Sequence, residues 1–190
     1  MLTSVSPLEH FRSLIEEALK EQRLRIDKTV EFYLANLLAR YVDTRKFSTE
    51  PVALRLLKAL DERRELKNLL LKEVGDTTLF VAGFFHESLK RKLVDVDYYI
   101  DIGTISYNHL ADSLSAGTSS QLSSLYRELS ERFVELVDVL GEVSERTRLS
   151  SINDILRIYE RWLRTGSKRM ERLLRDMGIE PTPVSKDSLQ

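Results

Sequence analysis

The sequence predicts an all-α protein, folded as a single-domain bundle of about seven to eight amphipathic helices. Apolar residues recur at spacings of three and four along most of the 190 residues, and only four prolines and seven glycines interrupt them. Hydrophobic side chains make up 42% of the chain, which is enough for one buried core. We expect this domain over residues 1–179 and a disordered tail over residues 180–190, which hold two prolines and mostly polar side chains.

Capping residues mark the predicted starts of the first three helices. Ser6 precedes Pro7 and stands three residues before Glu9, which is the pattern of a capping box at the start of a helix. Asp27 is the expected cap of the second helix. Pro51 suits the first turn of the third helix, because its missing N–H would have no helical partner there.

The third helix carries a leucine stripe that we expect to face the core. Its members are Leu54, Leu57, Leu60, Leu66, Leu69 and Leu70. Gly75 is the expected end of this helix, and Asp76 is the expected cap of a short fourth helix. That fourth helix, Leu79–Phe85, is apolar on nearly all sides, so it is predicted to be central and buried. Asp95 or Asp97 begins the fifth helix.

The last part of the chain predicts a long antiparallel helical hairpin near the C-terminus. A narrow apolar seam marks the sixth helix and comprises Leu122, Leu125, Leu129, Phe133, Leu136 and Leu140. The seventh helix begins near Ser150 or Ser151, and Gly166 either ends or bends it. The short link between the two helices, residues 146–149, favours an antiparallel arrangement.

Two charged stripes recur at helical spacing in the same region. The acidic stripe comprises Glu128, Glu131, Glu135, Asp138, Glu142 and Glu145. The basic stripe comprises Arg157, Arg161, Arg164, Lys168, Arg172 and Arg175. In an antiparallel hairpin, Glu135 would lie near Arg161, so the two stripes would pair across the apolar seam. The alternative is that the basic stripe, with Trp162 beside it, faces an anionic partner or surface.

Composition limits the classes of partner and the location of the protein. The formal net charge is −1, from 29 basic and 30 acidic residues, so nucleic acid is not an expected partner. The absence of cysteine excludes disulfides and thiolate chemistry. Residues 1–8 show no signal peptide, and the longest apolar run falls far short of the ~20 residues that cross a bilayer. We therefore expect a cytoplasmic protein without a transmembrane segment.

Residues 83–112 concentrate the titratable and aromatic side chains that a binding site uses. The candidate pocket consists of Phe84, His86, Glu87, Tyr98, Asp101, Gly103, Tyr107 and His109. Gly103 stands in mid-helix, where a glycine allows close approach of a neighbouring helix or a ligand. The interpretation that we favour is that the aromatic members form a dense core rather than a cavity wall.

No motif in the chain predicts catalysis or a cofactor. A metal site would use His86, His109 and Asp101 or Glu87 as ligands, but the chain has no Glu-x-x-His, which a di-iron bundle requires. His86 and Glu87 also lack the second histidine of a zinc-protease helix. A nucleophile elbow and a Gly-rich phosphate loop are both absent from the sequence. We therefore expect no metal, no other cofactor and no catalytic residue.

These observations predict a non-enzymatic helical protein that acts by association, either as a homo-oligomer or as an adaptor for another protein. The long amphipathic helices and the charged stripes are the features that favour this function. One alternative is a small-molecule-binding or metal-binding protein that uses residues 83–112. The other is a protein that binds anionic surfaces through the basic stripe, Arg157 to Arg175.

Overall fold

A computed structural model describes residues 6–43, 50–85, 89, 95–116 and 120–176, with the backbone alone described at 42–43, 148–160, 163, 173–174 and 176. These ranges contain eight helices and no strand, which confirms the predicted all-α helical bundle. The helices are α1 (Pro7–Glu21), α2 (Lys28–Asp43), α3 (Val52–Asp61), α4 (Arg64–Phe84), α5 (Val96–Ser115), α6 (Ser120–Glu131), α7 (Phe133–Thr165) and α8 (Lys168–Asp176).

The described helices form two compact units that divide between Ser144 and Glu145. In the N-terminal unit, α4 packs against α5, α5 packs against α6, and α1 packs against α2. Helix α3 contacts α4 and α5, and α2 also contacts α4 and α6. The C-terminal unit holds the rest of α7 and the whole of α8. The single domain over residues 1–179 stays a prediction, and the predicted tail, residues 180–190, lies outside the described residues.

No described helix is both long enough and apolar enough to cross a membrane.

The helix starts follow the capping chemistry of the sequence. The Oγ atom of Ser6 accepts from the N–H of Glu9 at 3.2 Å, and the Glu9 carboxylate accepts from the N–H of Ser6, which confirms the capping box. Asp27 accepts from the N–H and the hydroxyl of Thr29 at the start of α2, and these hydrogen bonds lower the pKa of Asp27. Asp95 caps α5.

The predicted boundary at Gly75 and Asp76 is wrong. Helix α4 runs through both residues, and the preceding helix ends earlier, at Asp61. Gly75 serves close packing rather than a helix end, because a Cβ at this position would lie 2.5 Å from Cε1 of Tyr107. Pro51 is the N-cap residue that precedes α3 rather than a member of its first turn. The burial predicted for Leu79–Phe85 holds for Leu79, Phe80, Ala82 and Gly83, whereas Val81 and Phe84 are half-buried and Phe85 is exposed.

The expected close approach at Gly103 is provided by neighbouring helices. A Cβ at Gly103 would lie 2.5 Å from Oγ1 of Thr78 on α4, and it would also overlap the ring of Phe133 on α7. Gly83 on α4 is covered in the same way by Leu140 on α7. Two glycines therefore bring α4, α5 and the first part of α7 together around one apolar core.

The apolar seam of the predicted sixth helix is divided between α6 and α7. The backbone bond from the N–H of Leu136 to the carbonyl of Arg132 continues the helical pattern across the junction. Leu129, Leu136 and the other members from Phe133 to Leu140 are buried, and Leu125 is half-buried. Leu122 is exposed, so the seam does not reach the core at its first position.

The predicted C-terminal hairpin is not confirmed. Residues 146–149, in which we expected the turn, lie inside α7. These four residues include neither glycine nor proline, so nothing in their local sequence opposes a helix. Gly166 ends α7 rather than bending it: its φ is +60°, and its N–H donates to the carbonyl of Trp162 at 2.8 Å. This is the left-handed cap that glycine adopts most easily.

Candidate functional site

A buried carboxylate, Asp76, lies at the centre of a polar cluster in the N-terminal unit. Its side chain is only 2% exposed. Its Oδ1 atom accepts from the hydroxyl of Tyr33 at 2.5 Å and from that of Tyr107 at 2.8 Å. Its Oδ2 atom accepts from Nη2 of Arg40 and from Nζ of Lys72, each at 2.6 Å. We call these five residues the Asp76 cluster; it joins α2, α4 and α5.

The Asp76 cluster carries one negative and two positive charges. The side chain of Arg40 is 52% exposed and that of Lys72 is 31% exposed, so the excess positive charge lies toward solvent. Burial raises the pKa of both Tyr33 and Tyr107, and the nearby carboxylate raises each further. Both phenols therefore remain protonated donors at neutral pH.

The chemistry of the Asp76 cluster suits positioning better than proton transfer. Four donors occupy the two carboxylate oxygens, which have about four lone-pair sites. A carboxylate in this state holds neighbouring groups in place and has no open site for a substrate proton. Among the residues that the structure describes, no group of three or more His, Cys, Asp or Glu side chains could hold a metal ion.

A groove of about 540 Å³ lies beside the Asp76 cluster, between α2 and α6. Its lining residues are Lys28, Thr29, Phe32, Tyr33, Asn36 and Leu125. Phe32 is 55% exposed, which is unusual for so large an apolar side chain. Tyr33 belongs both to the groove and to the cluster, so the cluster fixes one wall of the groove. We call this feature the α2–α6 groove.

Four further exposed apolar side chains lie on α3 and α4. Leu54 and Leu57 are one turn apart on α3, Leu66 and Leu69 are one turn apart on α4, and all four are between 44% and 62% exposed. The two helices are joined by two residues and pack against each other. An ion pair between Arg55 and Glu73, at 2.6 Å, links them. We call the four leucines the leucine face. Contrary to our prediction, they do not face the core, whereas the other two members of the predicted stripe, Leu60 and Leu70, are half-buried and pack against it.

The described members of the predicted pocket at residues 83–112 occupy different environments. Tyr107 is buried in the Asp76 cluster, and Gly103 is covered by Phe133 and Thr78. Phe84 stacks on Phe80, with ring centroids 5.1 Å apart. The hydroxyl of Tyr98 accepts from the N–H of Ala53, and Asp101 and His109 are exposed. His86 and Glu87 lie outside the described residues. The pocket as a whole stays a prediction.

The charged stripes have partners that the sequence did not indicate. Glu128 accepts from the N–H of Asp27 at 3.1 Å, and Glu142 accepts from the side chain of Gln22 at 2.9 Å. In the C-terminal unit, Arg175 pairs with Glu171 at 2.9 Å. The other members of the basic stripe whose side chains are described, namely Arg161, Arg164, Lys168 and Arg172, are exposed, and the side chain of Arg157 is not among those described. Pairing between the stripes stays a prediction.

No protein-family model, no curated protein and no solved structure matches this chain. The functional argument therefore depends on the geometry alone. Sequence reasoning missed three members of the Asp76 cluster, Tyr33, Arg40 and Lys72, and it also missed Phe32. The one signal that pointed toward them was the spacing of Tyr33 and Arg40, seven residues apart on one side of α2.

Proposed function

We propose that the protein acts by association with a second copy of itself, through the leucine face. The observation that supports this proposal is the exposure of four leucines on two packed helices. Single exposed leucines are common on protein surfaces, but apolar side chains grouped on one surface mark interaction sites. Burial of an exposed leucine side chain contributes about 1.5–3 kcal/mol at most, and the half-exposed leucines here would each contribute part of that.

Charge balance around the leucine face favours a second copy over a strongly charged partner. Residues 50–73 contain six basic and five acidic side chains, so two copies of this surface would not repel each other. A two-fold contact places the same surface on both sides of the interface, and leucine packs well against leucine. Stable dimers bury roughly 1,200–2,000 Å² in total, so the contact would extend over the outer sides of both helices.

The cytoplasm is the location that we propose for this association. The chain has no cysteine, which is compatible with a reducing compartment.

The predicted role as an adaptor for a different protein is the competing form of the proposal. It differs in one measurable respect, because an adaptor would leave the isolated chain monomeric.

Size-exclusion chromatography with light scattering over a dilution series tests the proposal. We expect the wild-type chain to be dimeric at high concentration and to dissociate on dilution. The double variant Leu57→Glu, Leu69→Glu should be monomeric throughout, because a charge on each helix would be buried at the contact. The matched control is Val134→Glu, since Val134 on α7 is 55% exposed and lies outside the leucine face. The control should remain dimeric.

Two results would contradict the proposal. A wild-type chain that stays monomeric up to near-millimolar concentration would exclude self-association as the function. A dimer that survives the two glutamates would place the contact elsewhere. Circular dichroism distinguishes loss of association from loss of fold, because the substituted side chains are exposed and the helical signal should be unchanged.

The basic stripe supports a second candidate function, binding of an anionic surface. Residues 161–175 contain six basic side chains and one acidic side chain, and the described basic side chains are exposed. A heparin column tests this function. Weaker retention of the double variant Arg161→Gln, Lys168→Gln, together with unchanged retention of Arg40→Gln, would support it. Equal retention of both variants would contradict it.

A further inference from the structure

The α2–α6 groove has the size and lining of a small-molecule site. Its volume of about 540 Å³ lies within the range of ligand pockets, roughly 300–1,000 Å³. Phe32, Tyr33 and Leu125 supply an apolar lining from two helices. A partner helix would need a long channel, whereas this groove is short and is lined by only two turns of α2 and one residue of α6.

One wall of the groove is fixed before any ligand arrives. The hydroxyl of Tyr33 donates to buried Asp76, and its ring meets that of Tyr126 edge-on with centroids 5.8 Å apart. The ammonium of Lys72 lies 5.3 Å from the centre of the same ring. A preformed wall lowers the entropic cost of binding, because the side chain is already immobile.

Lys28 is the charged side chain with which a ligand in the groove would pair. The hydroxyl of Thr29 donates to Asp27, and the amide of Asn36 donates to the carbonyl of Phe32, so both are engaged within α2. The ammonium of Lys28 donates to Glu31 at 2.6 Å, and it has three N–H donors in all. Among the described lining residues, Lys28 alone carries a charge.

The charges around the groove partly compensate one another. Glu31, which accepts from Lys28, also has Nε of Arg12 within 3.9 Å, so its charge is shared between two cations. Behind Tyr33, the Asp76 cluster carries one more positive than negative charge. Asp27 and Glu128, at the start of α2 and beside it, offset this excess, so the attraction for an anion comes from Lys28 itself.

We propose that the α2–α6 groove binds a small amphiphilic anion, which has an apolar or aromatic body and one acidic group. The body lies against Phe32, Tyr33 and Leu125, and the acidic group pairs with Lys28. This inference does not depend on the leucine face, which lies on α3 and α4.

A pair of fluorescent probes tests this assignment. Anilinonaphthalene sulfonate has an aromatic body and one anionic group, and phenylnaphthylamine has the same body without the charge. We expect the anionic probe to bind the full chain more tightly than the neutral one. Phe32→Ala should weaken the binding of both probes about tenfold, and Lys28→Gln should weaken only the anionic probe, by about fivefold. Both substituted side chains are exposed, and a glutamine at position 28 can still donate to Glu31, so both variants should remain folded.

Matched controls keep the result specific to the groove. Val134→Ala removes an equally exposed apolar side chain elsewhere, and Lys58→Gln removes another lysine that is paired with a glutamate, Glu50. Neither should change the affinity for either probe. Equal affinity for the two probes would indicate an apolar partner surface as the occupant and would overturn the assignment to an anion. Affinities that are unchanged by Phe32→Ala, or the absence of binding, would overturn the site itself.

Discussion

Replacement of Asp76 by alanine should destabilise the N-terminal unit by about 3–5 kcal/mol, the cost of removing one partner from a buried ionic cluster. The structure indicates where this cost arises. Arg40 and Lys72 are partly exposed and can recover hydration, so their loss of a partner contributes little. The hydroxyl of Tyr107 is fully buried, and without Asp76 it would lack an acceptor, which costs about 1–3 kcal/mol. Tyr33 loses the same acceptor, but it is only half-buried, so its loss costs less.

Urea unfolding, followed by far-ultraviolet circular dichroism, measures this change, and a double-mutant cycle isolates its origin. Tyr107→Phe alone should cost about 1–2 kcal/mol, because Asp76 retains three other donors. The double variant Asp76→Ala, Tyr107→Phe should be more stable than the sum of the two single changes predicts, since the fully buried hydroxyl of Tyr107 is then no longer left without an acceptor. A cost below about 1 kcal/mol for Asp76→Ala, or additive effects in the cycle, would refute the role assigned to the cluster.

Three further predictions concern other positions. Gly103→Ala should lower the free energy of unfolding by about 1–3 kcal/mol in the same urea assay, because the added methyl group would overlap the ring of Phe133; an unchanged midpoint would contradict the packing described. Burial raises the pKa of Tyr33 and Tyr107 above the ordinary value of about 10, so the stability that they contribute is present below that pH. This stability should be lost as the pH rises above about 10, by up to about 1.4 kcal/mol per pH unit per tyrosine, because only the unfolded chain then releases these protons. A free energy of unfolding that stays constant from neutral to strongly alkaline pH would contradict this. Gly166→Ala should destabilise the end of α7 by about 1–2 kcal/mol, because the φ of Gly166 is positive. Thermal unfolding followed by the fluorescence of the single tryptophan, which lies in the C-terminal unit, measures the change, and an unaltered melting curve would contradict the prediction.

Local chemistry allowed part of the fold to be predicted from the sequence. The caps at Ser6 and Asp27 were predicted correctly, and Asp95 was one of two candidates for the cap of α5, because a cap depends on residues within one turn of it. The boundary at Gly75 was predicted wrongly, because a glycine followed by an aspartate has the same local pattern at a helix end and beneath a packed ring. The ring in question belongs to Tyr107, on another helix, so no short-range signal distinguishes the two cases.

The candidate sites were harder to predict than the helices. Periodicity indicates that Leu57 and Leu69 share faces with other leucines, but it does not indicate what covers those faces. The structure buries Leu56 and Ala59 of α3 instead. Asp76 contacts Tyr33 and Tyr107, which are 43 and 31 positions away along the chain. Such contacts follow from tertiary packing, and a sequence alone does not specify it.

Thiol protection is the most direct test of the proposed contact between two copies. The chain has no cysteine, so Leu57→Cys introduces a single reactive thiol on the leucine face, and Val134→Cys does the same at a control position. If two copies meet at the leucine face, the rate of reaction of the first thiol with a bulky maleimide should fall as protein concentration rises. The second thiol should react at one rate at every concentration. Equal, concentration-independent rates at both positions would contradict association through the leucine face.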